Sequence, residues 1–380
     1  MNILIWSPFL QKVGTTTNVL NIIDSINKYS KKNSFKIDLL DVFGEWENYE
    51  FERVKVNKIS LLNYNFLKKI RKNGFIRSRI ITILIIILSI IPLTKQLKKK
   101  NYNFFFVHLI TSLPIILTRF IKKDTKLILS IAGFPKLTLM RSLFWKHFQN
   151  RIYKIICPSI ETKDMLVEKK IFDKNKLSVI KDPHINVKEI IKKKNMLSDK
   201  SLNLSKNIVT IGRLTKQKNY IFLLEAFKNI LNIKNDIHLT IIGEGEDRDL
   251  IEKKIRDLEI DKNVSLEGYQ KNIYKYLNDP LCYFSASLWE GPDLAMLDAA
   301  FLNVPIICSD CKSGRKEFIE ENKRGYIFKT NNMSSLISAF ELFFRDNDLE
   351  IKKKLLEAKK EVKNFTQFRY YLNLKKILIN

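Results

Sequence analysis

Short apolar runs of strand length alternate with helix-length segments along the chain, and this alternation constrains the fold more than any other feature of the sequence. Strands separated by helical segments build parallel sheets whose faces the helices cover. The first half supplies such runs at NILIW, FKIDLLDV, NFFFVHLI, KLILSI, KIICPS and LSVI, and the second at NIVTIGRL, HLTIIGEG, VSLEGY, LCYFSAS, VPIICSD and GYIFK. At 380 residues the chain can form two such domains, each with its own core. The polar, weakly periodic stretch from Asp182 to Asn207 reads as the connector. The expected organisation is a doubly wound α/β domain over 1–185, a second over 186–362, and an aromatic, amphipathic segment over 363–380 that packs back on the first.

Charge is distributed unevenly between these halves. Residues 1–185 hold 33 Lys and Arg against 13 Asp and Glu, a net +20, whereas 186–380 hold 34 against 27, a net +7. A coding bias towards Lys, Asn and Ile would fill surfaces with lysine but does not account for the asymmetry. The basic field suits an anionic partner such as a nucleic acid, an anionic membrane surface or a phosphorylated lipid. Nucleic acid is disfavoured, because the aromatic residues are not interleaved with the cations as stacking platforms. Four cysteines make no disulfide scaffold in a chain this long, which points to a reducing compartment. Cys308 and Cys311 lack a second pair or a nearby histidine, so an apolar strand ending in a loop explains them better than a metal site.

MNILIWSP lacks the basic leader and cleavage site of a signal peptide and reads as a first buried strand. The strongest apolar run, Ile80 to Ile91, is expected to stop at Pro92, short of the roughly 20 residues that cross a bilayer. Arg71, Lys72, Arg77 and Arg79 precede it, and Lys95 and Lys98 to Lys100 follow. Two readings stay open: a buried helix, or one lying on an anionic membrane surface.

The candidate chemistry lies in the second half. VTIGRLTKQKNYIFLLEAF places Gly212, Arg213 and Lys218 at the carboxyl end of a strand, the edge where open α/β sheets bind ligands. An arginine fork and a mobile lysine charge suit two linked phosphates, although in a lysine-rich chain both are also ordinary surface charges. Gly243, Gly245 and Gly268 end further strands; the G-x-G lacks the third glycine of a dinucleotide fingerprint and by itself signals a tight turn. In SLWEGPDLAMLD, Glu290 ends a loop, Gly291 permits close backbone approach, Pro292 suits a first helical turn and Asp293 complements its positive end. Amides around Asp293, Leu294 and Ala295 can bind an oxygen-rich ligand, Glu290 can accept from sugar hydroxyls, and Asp298 can reach a ribose. Taken alone, two carboxylates at this spacing are ordinary helix surface.

These stretches in this order, with VPIICSD and KEFIEENKRGYIF, resemble the carboxyl-terminal half of glycosyltransferase family 4 over about Asn207 to Phe344. The resemblance implies retaining enzymes of the GT-B fold, two Rossmann-like domains facing an interdomain cleft, as in bacterial surface-polysaccharide glycosyltransferases. It implies that Arg213 and Lys218 hold the donor diphosphate and that Glu290, the first acid of the E-x7-E motif, contacts the donor sugar. Asp298 occupies the place of the second acid, which holds the ribose, and is one methylene shorter than the usual Glu. Gly212, Gly243, Gly268, Gly291, Asp293, Leu294 and Ala295 fall in the donor-binding stretches. His108, after FFFV, resembles a histidine near the reacting sugar; as a lone histidine after four apolar residues it also reads as structural. Gly14 and Thr15 stand where the family has a glycine-rich acceptor-side loop, here followed by threonines able to cap a helix.

The implied reaction is retaining transfer from a nucleotide sugar with no cofactor and no metal ion, the cations and a helix terminus stabilising the leaving charge. A lipid-linked saccharide acceptor, and a cytoplasmic enzyme held peripherally on the inner face of the cytoplasmic membrane, suit lipopolysaccharide, O-antigen or capsule synthesis. Another GT-B activity such as sugar-nucleotide epimerisation, transfer to a soluble acceptor, and a non-catalytic basic lipid-binding protein are the alternatives.

Overall fold

Continuous apolar runs become central strands because helices cover both faces of a parallel sheet. Ile3 to Trp6 and Phe104 to Val107 are buried at every position. The computed structural model describes residues 1–10, 14–47, 49, 54–62, 75–118, 124–195, 206–291, 293–312 and 314–379, with the backbone alone at 14, 15 and 75–78. Two units emerge, one from Met1–Pro183 with Gln367–Asn380 and the other from His184–Thr366. The sequence reading set its changes at 185 and 362, a few residues from these. Residues 196–205 of the expected connector lie outside the described residues.

The first unit's strands are β1 (Asn2–Trp6), β2 (Lys36–Asp41), β3 (Asn57–Ser60), β4 (Phe104–Val107), β5 (Lys126–Ser130), β6 (Lys154–Cys157) and β7 (Leu177–Val179). They form one parallel sheet in the order β3-β2-β1-β4-β5-β6-β7. β3 is absent from the sequence reading because NKIS is a polar edge strand without an apolar run. The second unit has β8 (Asn207–Ile211), β9 (His238–Ile242), β10 (Val264–Leu266), β11 (Cys282–Ser285), β12 (Ile306–Ser309) and β13 (Tyr326–Phe328). Their order is β10-β9-β8-β11-β12-β13, again parallel. Strand order reverses between β1 and β4 and between β8 and β11, and ligands of doubly wound sheets bind at the carboxyl ends of such pairs.

The apolar helix departs from expectation. It runs Phe75–Lys99, straight through Pro92. Proline inside a helix removes a hydrogen bond and costs roughly 3 kcal/mol. Burial offsets that cost, since Ile81, Ile85, Leu93 and Leu97 line one face of the helix and enter the core. The expected shortfall in length therefore does not hold: Arg79–Lys99 has a mean hydropathy of 2.2 and is long and apolar enough, by length and composition alone, to cross a membrane. Its other face leaves Ile80, Ile83, Ile87, Ile90 and Ile91 exposed. Of the basic residues before it, Arg71, Lys72 and the Arg77 side chain lie outside the described residues.

The first helix runs Gly14–Tyr29, so the backbone of Thr15 to Thr17 lies inside its first turn and not ahead of it, where the sequence reading expected a cap. Thr16 is buried and its hydroxyl lies 2.9 Å from that of Tyr49. The final helix, Gln367–Ile379, packs against this first helix and buries Tyr370, Leu374, Ile377 and Leu378 in the first unit's core.

Candidate active site

The site is assembled at the β8/β11 switch point. The chain leaves β8 through Gly212 and Arg213, turns at Lys216–Lys218, passes Asn219 in the left-handed region and enters the helix Tyr220–Ile233. Lys218 folds back across Gly212, where a Cβ would stand 2.4 Å from the lysine Cε. Gly243, after β9, has φ +149° and would put a Cβ 1.9 Å from the Gly212 carbonyl oxygen. Its N–H donates to the Gly268 carbonyl at 2.9 Å, and Gly212 N–H donates to Ile242 at 2.9 Å. Strand-end glycines thus let three loops stack, and at Gly243 protein backbone fills the space a side chain would need.

After β11 the chain passes Ser285 and Ser287 to Glu290 and Gly291; Pro292 lies outside the described residues. Asp293 takes an extended backbone and caps the helix Leu294–Phe301, its carboxylate accepting from Met296 N–H at 3.4 Å. The amides of Leu294 and Ala295, still without partners in the first helical turn, meet no acceptor among the described residues.

Two acids and two cations then share one buried space. Lys218 Nζ lies 2.8 Å from Glu290 Oε1 and 3.8 Å from Asp293 Oδ1. Arg315, from the helix Arg315–Ile319, pairs with Asp293 and bonds the hydroxyls of Ser285 at 2.6 Å and Ser309 at 2.9 Å. Gln217 donates to Glu290 at 3.3 Å, and Tyr283 donates to Asp293 at 3.2 Å. Burial opposes the charge on Lys218, but Asp293 and then Glu290 overcome it and hold the amine protonated well above its ordinary range. Burial would likewise raise Asp293, yet Lys218 and Arg315 keep its carboxyl below the usual carboxylate range. Arg213 differs: it is exposed and has no carboxylate partner among the described residues. An exposed cation on the loop after β8, a charge-balanced cluster and two open helix amides are groups that can take an anion, with carboxylates able to accept hydrogen bonds.

Asp298, one turn further along its helix, is buried with an oxygen 3.0 Å from His184 Nε2. The sequence reading left this acid free for a ribose; the fold gives it an imidazole neighbour. His108 ends β4 at the other unit's switch point, its N–H donating to the Trp6 carbonyl at 3.0 Å and its Nδ1 lying 3.1 Å from Ser130 Oγ. Its buried Nε2 meets no partner among the described residues. Burial pushes the His108 pKa down from 6.5 to about 4, so the ring is neutral at pH 7. The unfolded chain takes up this proton below 6.5 and the folded chain only near 4. Stability should therefore fall as pH drops through that window, by on the order of 3 kcal/mol from this group. Denaturant unfolding of wild type and His108→Gln between pH 7 and 4 checks it; equal slopes for the two would mean His108 titrates normally. Gly14 and Thr15 sit at the start of the helix after β1. All four cysteines are buried and unpaired, and no group of three or more His, Cys, Asp or Glu among the described residues could hold a metal ion.

Arg315 and His184 are the residues that sequence reasoning missed. Arg315 is one basic residue among many, and His184 stands in a stretch read as a connector. The only hint was the hydroxyl pattern of YFSAS, polar residues at the end of an otherwise apolar strand.

Residues 188–362 match the protein family described as Glycosyl transferases group 1. This region is a glycosyl transferases group 1 domain. The match covers nearly the whole second unit, including every residue of the cluster around Lys218. The chain is 31% identical over 227 residues to an uncharacterized glycosyltransferase of Methanocaldococcus jannaschii, covering 55% of each. It is 29% identical over 290 residues to the UDP-Gal:alpha-D-GlcNAc-diphosphoundecaprenol alpha-1,3-galactosyltransferase of Escherichia coli, covering 70% of this chain and 72% of that one. The chain spans about half or less of the length of most curated relatives it matches. Anabaena HepE, solved in complex with UDP, has a TM-score of 0.76 at 12% identity over 100% of both chains. At that identity the likeness speaks for the fold, and the group 1 domain with its partner unit is a GT-B architecture of two Rossmann-like domains.

Proposed function

We propose that the chain is a retaining glycosyltransferase that takes a nucleotide-sugar donor, needs no metal ion, and transfers to a lipid-linked saccharide in surface polysaccharide synthesis. The observation that carries this reading is the Lys218–Glu290 pair at the switch point of the second sheet, with the exposed Arg213 on the same loop after β8. Departure of the donor diphosphate puts negative charge on phosphate and positive character on the sugar ring. Arg213, Lys218 and the amides of Leu294 and Ala295 answer the first, and Glu290 accepts from sugar hydroxyls beside the second. These donors supply the charge that a divalent ion supplies elsewhere. Asp298, steadied by His184, takes the ribose, and the acceptor hydroxyl attacks on the leaving-group face. The first unit, with neutral His108 and the Gly14 helix start, holds the acceptor.

A lipid-linked acceptor is supported by the diphosphoundecaprenol substrate named for the Escherichia coli relative. It is also supported by the isoleucine stripe of Phe75–Lys99, which with Lys95, Lys98 and Lys99 suits the anionic inner face of the cytoplasmic membrane. Two other readings use the same residues: sugar-nucleotide epimerisation, and lipid binding without catalysis.

A thermal-shift panel of UDP- and GDP-sugars on wild type, Arg213→Ala and Glu290→Ala tests the donor site, because a ligand bound only by the folded state raises Tm. One sugar nucleotide is expected to stabilise the wild type, with both variants losing the shift. Binding to anionic vesicles with no donor stabilisation or hydrolysis would instead favour the lipid-binding reading.

A further inference from the structure

The two cations of the buried cluster are not equivalent. Arg315 is 1% exposed and its fork is fixed on Asp293, Ser285 and Ser309, so it has no freedom to turn towards a ligand. Lys218 has a flexible stem lying across Gly212, and its side chain retains 14% exposure. Its amine stands 2.8 Å from Glu290 but 3.8 Å from Asp293, the acid that Arg315 already neutralises. Resting on the glycosyltransferase reading above, we infer that Arg315 is a positioning residue: it offsets the charge of Asp293, so that the short contact of Lys218 is with Glu290 and the amine can be handed to the donor diphosphate.

Phosphate and carboxylate compete for the amine. In a poorly solvated site, opposite charges a few ångströms apart attract far more strongly than in water. An amine facing two uncompensated carboxylates would have to leave both to meet a phosphate. With Arg315 in place Asp293 is already offset, and the short contact the amine must leave is Glu290, whose second oxygen already accepts from Gln217. Ser285 and Ser309 complete the device by orienting the guanidinium from two adjacent strands, β11 and β12, whose register sets Ser285 beside Cys308. Arg315 touches no donor atom in this scheme and acts through Asp293 and Lys218.

A merely structural role would make the same contacts, so the test reads charge. UDP affinity is measured calorimetrically at about pH 6 to 8 for wild type, Arg315→Lys, Arg315→Met and Arg315→Met with Asp293→Asn, folding being checked by circular dichroism. Arg315→Met should weaken UDP by roughly tenfold or more at the alkaline end and recover on acidification, as an unopposed Asp293 takes up a proton. The groups facing Asp293 are Lys218, Glu290, Arg315, Tyr283, Tyr220, Cys308 and Cys311. The double variant, with no charge left to neutralise, should lose the acid recovery and bind more tightly than Arg315→Met at the alkaline end, and Arg315→Lys should keep most of the affinity. Should Arg315→Met fail to fold, the double variant and Arg315→Lys still decide the matter. Wild-type affinity in Arg315→Met overturns the inference, as does a folded double variant that keeps the acid recovery, while both leave the glycosyltransferase reading standing. If the wild type itself binds neither UDP nor GDP, that reading fails and the inference goes with it.

Discussion

Lys218→Met should lower sugar transfer by on the order of a hundred- to a thousandfold, the loss expected when a charge partner for the developing leaving group is removed. Stability should fall as well, because the substitution takes the closest cation from Glu290. Breaking a buried ion pair costs about 3 kcal/mol or more when one charge is left uncompensated. The effect here should lie at the low end, since Arg315 stays 3.7 Å from Glu290 and Gln217 still donates to it. The pH dependence has a definite sign. The pKa of Lys218 is raised in the fold, so its contribution is complete below 10.5 and is lost only as pH rises beyond the ordinary lysine range. A urea titration at neutral pH with a transfer assay checks both parts. A variant as stable and active as the wild type would mean that Lys218 is an ordinary surface cation, as composition alone suggests.

Gly243→Ala should be the most damaging of the glycine substitutions, and comparison with Gly212→Ala separates folding from function. At Gly243 the new Cβ would meet a backbone oxygen at 1.9 Å, with φ at +149°, so the β8 and β9 loops must move apart. A cost of about 3 kcal/mol is expected, as for strained backbone with no flexible neighbour to yield. At Gly212 the obstacle is the Lys218 side chain at 2.4 Å, which can rotate away. That substitution should cost less stability than Gly243→Ala, the loss coming from the displaced Lys218–Glu290 contact and not from backbone strain, and it should weaken UDP binding. Thermal unfolding and UDP affinity, measured on both, make the comparison. If Gly243→Ala unfolds at the wild-type temperature, the loops are not packed as described; if Gly212→Ala binds UDP normally, the placement of Lys218 is not what the donor phosphates require.

The membrane-facing question shows how local and global forces divide. The apolar run from Ile80 was legible in the sequence, and so were its basic flanks. Its end was not, because a proline stops a helix unless distant contacts outweigh the lost hydrogen bond. Leu93 and Leu97, beyond Pro92, are buried in the core cluster that also holds residues of β4 and β5, and nothing within the segment announces that burial.

By itself the sequence determined the parallel α/β class, nearly every strand, and the stretches that carry the site. These are local properties: a strand buried on both faces must be apolar throughout, and a glycine or a helix-capping acid marks its own position. The polar edge strand Asn57–Ser60 escaped because pairing with one neighbour demands no apolar pattern. What only the tertiary structure decided is which charge meets which. Asp293 and Arg315 stand 22 residues apart, and no spacing rule joins them. They meet because the register of β11 on β12 brings Ser285 beside Cys308, and because two buried charges lower their energy most by pairing with each other. His184 and Asp298, 3.0 Å apart, are brought together across a still longer stretch of chain. Partner choice among buried charges is a property of the packed whole, and a lysine-rich sequence offers too many equivalent cations to reveal it in advance.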